Sequence, residues 1–189
     1  MRRPLAFNAS PMRPLQEFVS DAQTLTEDAF RELHGAHFLL KRPAAADVLW
    51  GTGGDFNTAH GRLTEQLRAA DEDERVSLEL AAPLRKKPGN PWPDLISIGR
   101  SRTCDISIRL PNISKLHASI ALGPHDQLSI KDHGSANGTA LNGIGVDENP
   151  QPLSIGDRIG FGGVLVCELV DAESLIAILR RRTDRLSTG

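Results

Sequence analysis

The sequence predicts an all-β fold of short antiparallel strands, a sandwich or a barrel, with a helix added at each end. Three observations carry this. Between Ile96 and Ile130 apolar residues alternate with polar ones, the pattern of strands with one buried face and one wet face. The runs are separated at short, regular intervals by turn chemistry: Pro111-Asn112, Gly123-Pro124, Asp132-His133-Gly134 and Asn142-Gly143. At both ends of the chain the apolar period lengthens from two to three or four.

In chain order, Met1 to Arg13 is punctuated by prolines and reads as loose. Leu15, Phe18, Val19, Ala22, Leu25, Ala29, Phe30 and Leu33 form one apolar stripe, so a single helix is predicted from Pro14 to Leu33, packed on the sheets and stopped by Gly35. His37 to Lys41 is the first strand. Residues 43–73 form an insertion with a short helical turn over Thr64–Ala70; its Gly51, Gly53 and Gly54 lack the following Gly-Lys-Ser/Thr of a nucleotide-binding loop. Val76 to Leu80 alternates as a second strand. Ala81 to Asp94 is a proline-rich loop whose run Arg85-Lys86-Lys87 either adds positive field to neighbouring loops or is simply solvated.

Strands are then expected at Ile96–Ile98, Cys104–Leu110, Leu116–Leu122 and Leu128–Ile130. Asn142-Gly143 suits a type I′ turn, Ile144 to Pro152 a connecting loop, and Arg158–Phe161 an edge strand. Val164–Val170 is apolar on both faces and should be covered on both. Asp171 caps a closing helix to Arg182, with Arg180, Arg181, Arg182 and Arg185 at its C-terminal end, where the helix dipole favours them. The organisation is thus an N-terminal extension over 1–35, a β-domain over 36–182 and a tail over 183–189.

Composition narrows the function. The 189 residues carry a net charge of −2, which argues against broad nucleic-acid binding. No apolar run reaches membrane-spanning length and no signal peptide is evident, so a cytoplasmic protein is expected. Cys104 and Cys167 fall in apolar strand patterns and read as buried free thiols, not as a disulfide or a metal site. No catalytic set is apparent. His117 lacks a matching acid and nucleophile, and Ser114 lacks a base with its orienting partner. No cofactor or metal is implied.

What the loops do carry is anion-binding chemistry at strand ends. Arg100 offers a planar fork that grips phosphate oxygens, Ser114 a hydroxyl donor, and Lys115 a mobile charge. Asn137 has both a donor and an acceptor with which to pair an extended peptide backbone. Charge-assisted hydrogen bonds are worth about 1.5–3 kcal/mol each. Three of them, less the ordering of a flexible peptide, correspond to about micromolar affinity.

The order Gly99-Arg100, Ser114-x-x-His117, Asn137-Gly138-Thr139 and Asn142-Gly143, with a later Gly156-Asp157 turn, resembles the forkhead-associated (FHA) domain over roughly His37 to Val170. The resemblance implies an FHA-like (SMAD/FHA) β-sandwich of two antiparallel sheets whose apical loops recognise phosphothreonine peptides. It implies that Arg100, Ser114 (through hydroxyl and backbone) and Lys115 contact the phosphate, and that Asn137 pairs with the peptide backbone. Gly99, His117, Gly138 and Thr139 would support the binding loops, His117 by bracing them from behind. Asn112 sits where the family reads the third residue after the phosphothreonine; being neutral, it implies no strong demand for an acidic residue there. The implied partner is a Thr-phosphorylated protein or a Ser/Thr kinase, bound by an adaptor that catalyses nothing. The competing expectation is a phospho-independent interaction or assembly module, such as a secretion-system-like scaffold.

Overall fold

A computed structural model describes residues 12–41, 79–90, 92 and 94–186. The predicted insertion at 43–73, the turn at Thr64–Ala70 and most of the strand predicted at Val76–Leu80 lie outside the described residues. So do the first eleven residues and the last three.

Two sheets pack face to face. The elements of the larger are β1 (Arg13–Pro14), β2 (His37–Lys41), β3 (Leu80–Pro83), β8 (Thr139–Leu141), β9 (Ile144–Val146), β11 (Arg158–Phe161) and β12 (Leu165–Asp171), in the order β1-β3-β2-β12-β11-β8-β9. The smaller contains β4 (Leu95–Gly99), β5 (Ile106–Ser107), β6 (Ala118–Leu122), β7 (Leu128–Asp132) and β10 (Gln151–Leu153), in the order β10-β7-β6-β4-β5. Every pairing is antiparallel except β4 with β5, a two-residue parallel contact of Ile98 with Ile106 and Gly99 with Ser107. The fold is the all-β sandwich the sequence predicts.

Period-two alternation decides which side chains enter which core. In β2, Leu39 points into the sandwich with Ile98, Ile120, Ile130, Ile159, Phe161 and Leu169. Its neighbours Phe38 and Leu40 point the other way, into a second core with Phe18, Phe30, Val170, Leu175 and Leu179. The larger sheet is therefore covered on both faces, which is why β12 is apolar on both. Each fully buried Phe or Leu contributes about 1.5–3 kcal/mol.

The predicted helix Pro14–Leu33 is instead a 3₁₀ turn at Leu15–Phe18, α1 (Val19–Thr24) and α2 (Glu27–His34). The chain breaks because Leu25 is extended and Thr26 starts a new helix, its Oγ1 accepting the Ala29 N–H at 3.3 Å. A bond of 2.8 Å between His34 Nε2 and the Asp21 carboxylate joins the two pieces. Both face one core, so their stripes merged in the sequence. The closing helix α3 (Ala172–Leu186) runs past Arg182, and Asp171 caps it by accepting the Ser174 N–H at 2.8 Å. Its arginines do more than favour a dipole: Arg180 Nε donates to the Ala22 carbonyl at 2.8 Å, and Arg182 forms an ion pair with Glu79.

Four further expectations are corrected. Arg158–Phe161, expected at an edge, is paired on both sides, with β12 and with β8. The loop predicted from Ala81 begins with strand β3, because Ala81, Ala82 and Pro83 pair with Leu40, Leu39 and Phe38. The strand predicted at Cys104–Leu110 shrinks to Ile106–Ser107. Cys104 is bent into a turn by its N–H bond to the Ser101 carbonyl, and Leu110 curls back onto Ile108. The loop predicted at Ile144–Pro152 contains β9 and β10, edge strands that need little apolar alternation. Between β8 and β9 the turn prediction holds, with Asn142 at φ 49° and Gly143 at φ 93°, as a type I′ turn requires.

Candidate functional site

Three loops leave one end of the sandwich: β4–β5, β5–β6 and β7–β8. Hydrogen bonds lace them together. The Arg100 N–H donates to the Ser114 carbonyl at 2.8 Å, and the Ser101 N–H to the Lys115 carbonyl at 3.1 Å. This close approach requires Gly99, since a Cβ there would lie 2.3 Å from the Lys115 carbonyl oxygen. The Ala136 N–H donates to Ser114 Oγ at 3.0 Å, and Asn137 Nδ2 to the Asn112 carbonyl at 2.9 Å. Arg100, Ser114 and Asn137 are thus gathered by direct bonds between their loops.

His117 lies behind them, fully buried and edge-on to Phe161. Its Nδ1 accepts the Ser114 N–H at 3.1 Å. A backbone N–H can only donate, so Nδ1 carries no proton and Nε2 does, donating to the Gly138 carbonyl at 3.1 Å. Gly138 itself sits at φ +74°, a conformation glycine adopts without strain.

The atoms left over define what the site can hold. Arg100 is exposed, and its Nε donates to the Ile113 carbonyl at 3.1 Å, which orients the guanidinium and leaves its terminal nitrogens unpartnered among the described residues. Ser114 Oγ accepts from Ala136, so its own proton is free to be donated outward. The Ser114 backbone N–H is not available, because His117 holds it. Among the described residues nothing accepts the neighbouring Lys115 N–H, and the Lys115 side chain is exposed. Asn137 keeps its carbonyl oxygen and one amide proton. Together these form a cluster of outward-facing donors suited to a multiply charged oxyanion.

Thr139 is buried, and its hydroxyl donates to Asp132 at 2.5 Å. Sequence reasoning missed Asp132, whose carboxylate also accepts the Ser135 N–H at 2.6 Å and the Ser135 hydroxyl at 2.7 Å, folding the loop that carries Asn137. Burial works against its charge, but the bonds from Thr139 and Ser135 prevail and hold the carboxyl below its usual value. The Asp132-x-x-Ser135 spacing, an Asx-type turn, was the available signal.

The basic run is tied to the rest of the chain by hydrogen bonds, with Arg85 exposed and Lys86 and Lys87 half-buried. Arg85 donates to the Leu33 carbonyl, Lys86 to the Leu95 carbonyl, and Lys87 to the Cys104 carbonyl and, at 3.0 Å, to the Arg102 carbonyl. The segment is anchored by Asp105, which is 1% exposed. Asp105 accepts the N–H of Lys87 at 2.7 Å, the N–H and hydroxyl of Ser97 at 2.8 and 2.7 Å, and the Asn90 amide at 2.5 Å. Cys104 and Cys167 are buried and free; burial raises both thiols, Cys167 to about 12.

No match was found among curated proteins. Among solved structures, the chain is similar to the N-terminal FHA domain of Rad53p from S. cerevisiae in complex with a phosphothreonine peptide. The identity there is 26%, covering 52% of this chain and 89% of that one, with a TM-score of 0.42. It is similar to the FHA domain of CT664 protein from Chlamydia trachomatis at 22% identity, covering 72% and 98%, with a TM-score of 0.43. The yeast Dun1 FHA domain, in complex with a doubly phosphorylated peptide, matches at 22% identity over 72% and 75% of the two chains, with a TM-score of 0.46. The family model for the FHA domain matches residues 96–162, which span all three laced loops.

Proposed function

We propose that this protein is a phosphothreonine-peptide-binding adaptor that acts downstream of a Ser/Thr protein kinase and catalyses nothing. The observation that carries it is the laced cluster: Arg100, Ser114 and Asn137 on three loops, with donors left unused and directed outward. In this reading the Arg100 guanidinium, the Ser114 hydroxyl and Lys115 take the phosphate, with the Lys115 N–H replacing that of Ser114. Asn137 pairs with the peptide backbone. His117, Gly99, Gly138 and Thr139 hold the loops in place before ligand arrives, which lowers the ordering cost of binding. The partner is a Thr-phosphorylated protein or the kinase itself. Affinity is about micromolar, because a few charge-assisted bonds must offset the ordering of a flexible peptide.

The test is a phosphothreonine peptide library screened against the purified chain, followed by titration of the best peptide with and without its phosphate. Binding that disappears on dephosphorylation, and in Arg100→Ala and Ser114→Ala variants that still unfold cooperatively, supports the reading. Equal affinity for bare and phosphorylated peptide rejects it in favour of a phospho-independent assembly module.

A further inference from the structure

The β4–β5 loop that carries Arg100 also carries an exposed hydroxyl, Thr103. The Thr103 N–H donates to Ser101 Oγ at 3.2 Å, and the two hydroxyl oxygens lie 2.7 Å apart. Among the described residues no other group bonds the Thr103 hydroxyl. Thr103 lines an open cleft of about 540 Å³ together with Ser101, Lys87, Arg102 and Lys115. The cleft has room for a tetrahedral phosphate. Arg102 and Lys115 are exposed, and no carboxylate lies within ion-pair distance of either among the described residues. Lys87 spends its ammonium on the carbonyls of Arg102 and Cys104. The nearest acid in sequence, Asp105, is 1% exposed and already holds the Lys87 N–H, Ser97, Asn90 and the Lys86 ammonium. A free hydroxyl thus faces a cationic recess that lacks a counter-charge, and an anion placed there is favoured.

We propose that Thr103 is a phosphorylation site, and that a phosphate there turns off the adjacent ligand site from beside it. This rests on the function proposed above, because that site is what the modification controls. In the step, Thr103 Oγ1 attacks the γ-phosphorus of a nucleoside triphosphate held by a Ser/Thr kinase. A new O–P bond forms, the bond from the γ-phosphorus to its bridging oxygen breaks, and the nucleoside diphosphate leaves. The hydroxyl proton passes to the base of the kinase. Arg100 and Arg102, three and one residues before Thr103, suit a kinase with an acidic substrate groove. The product carries about −1.5 to −2 charges near pH 7. Its oxygens accept from the Ser101 hydroxyl, the Arg102 guanidinium and the Lys115 ammonium, which withdraws Lys115 from the ligand. Its charge, on the same loop as Arg100, repels an incoming phosphothreonine dianion. Ser101 is the poorer acceptor of the two hydroxyls. It is half-buried, and its Oγ is the acceptor that holds the Thr103 N–H and shapes the turn.

The experiment compares three full chains: unmodified, Thr103→Val, and one with phosphothreonine introduced at position 103 during translation. Each is titrated by fluorescence polarisation, at fixed salt, with the best phosphothreonine peptide from the library screen. The unmodified and Thr103→Val chains are expected to bind alike, and the phosphorylated chain about tenfold more weakly or worse. A ³¹P titration reads the contact itself. The second ionisation of the Thr103 phosphate should fall below the value it has in the same chain unfolded in urea. It should move back towards that value in an Arg102→Ala/Lys115→Ala double variant. Accessibility is read by incubating the folded chain with ATP and an arginine-directed Ser/Thr kinase, the catalytic subunit of cyclic-AMP-dependent protein kinase. Fragment masses should place phosphate on Thr103, with none there in Thr103→Val. Equal peptide affinity with and without the Thr103 phosphate, an unshifted ³¹P titration, or labelling that spares Thr103 overturns this inference alone. Phosphorylated chains that associate with one another, and stop doing so in Arg100→Ala, overturn it in favour of Thr103 as a ligand for a second copy. The absence of phosphopeptide binding by the unmodified chain rejects the adaptor reading and this inference with it.

Discussion

The imidazole of His117 joins Ser114 to the opposite loop: Nδ1 takes the Ser114 N–H at 3.1 Å while Nε2 donates to Gly138 at the same distance. One neutral ring thus fixes the spacing of two of the laced loops from behind. In a His117→Ala variant both backbone groups lose their partner and a void opens beside Phe161. The expected cost is about 2–4 kcal/mol in urea unfolding, with phosphopeptide affinity at least about tenfold weaker in the fraction that remains folded. A folded variant that binds as tightly as wild type would show that the loops hold their spacing unaided.

The Gly99 prediction separates two reasons for glycine. A Cβ at Gly99 would meet the Lys115 carbonyl oxygen at 2.3 Å and the Leu116 Cα at 3.0 Å. These are backbone atoms, pinned by the Arg100 and Ser101 hydrogen bonds, and cannot step aside cheaply. Gly138 has open space around its missing Cβ and only its φ of +74° to protect. Gly99→Ala should therefore cost about 2–3 kcal/mol or more and Gly138→Ala about 1–2 kcal/mol. Urea midpoints of the two variants in the reverse order would contradict the crowding argument.

How far the fold was legible depended on whether a residue's partner was close in sequence. Strand β2 and the Asn142-Gly143 hairpin turn were readable because alternation and turn chemistry are local. The break at Leu25 was not, because α1 and α2 face one core and keep one apolar stripe between them. Strands β9 and β10 were hidden by Gly145, Asp147, Glu148 and Asn149 in a stretch that needs little apolar alternation at a sheet edge. At the site, Arg100, Ser114 and Asn137 were legible from the order of short motifs. Asp132 was missed although its partners Ser135 and Thr139 follow closely in sequence, because turn residues alone do not show that a carboxylate is buried beneath them. The anchoring of Lys86 and Lys87 was not legible, because nothing near them in sequence shows that Asp105 returns to hold them.

Asp105 is the anchor whose loss should be felt most widely. Asp105→Ala leaves the Lys87 and Ser97 N–H groups, the Asn90 amide and the Lys86 ammonium without their acceptor, at a cost of about 3–5 kcal/mol. Burial alone would raise the Asp105 carboxyl, but the bonds from Lys87 and Ser97 and the Lys86 charge hold it below the ordinary 3.8. A lowered folded value means the stabilisation is complete above about pH 4 and fades as pH falls through that value. The gap in unfolding free energy between wild type and Asp105→Ala should accordingly narrow in acid. A gap that widens there would put the sign of the coupling in error.

Neutral histidines set a second, milder pH window. Burial lowers His34 from 6.5; the hydrogen bond and charge of Asp21 oppose this, and Arg13 and Arg85 reinforce it. Burial also lowers His37 and His133. Below pH 6.5 the unfolded chain takes up protons that these rings in the folded chain still refuse, so stability drops as pH falls from 6.5 through their folded values. His34 lies between Phe18 and Phe30 at ring-centroid distances of 5.1 and 4.6 Å, so a charge there is also placed against apolar neighbours. The urea midpoint should be nearly flat from pH 8 to 7 and should fall as pH drops below 6.5. The decline should be shallower in His34→Gln, which cannot take up the proton. A wild-type midpoint that rises on acidification through this window would mean that these rings gain charge on folding, contrary to their burial.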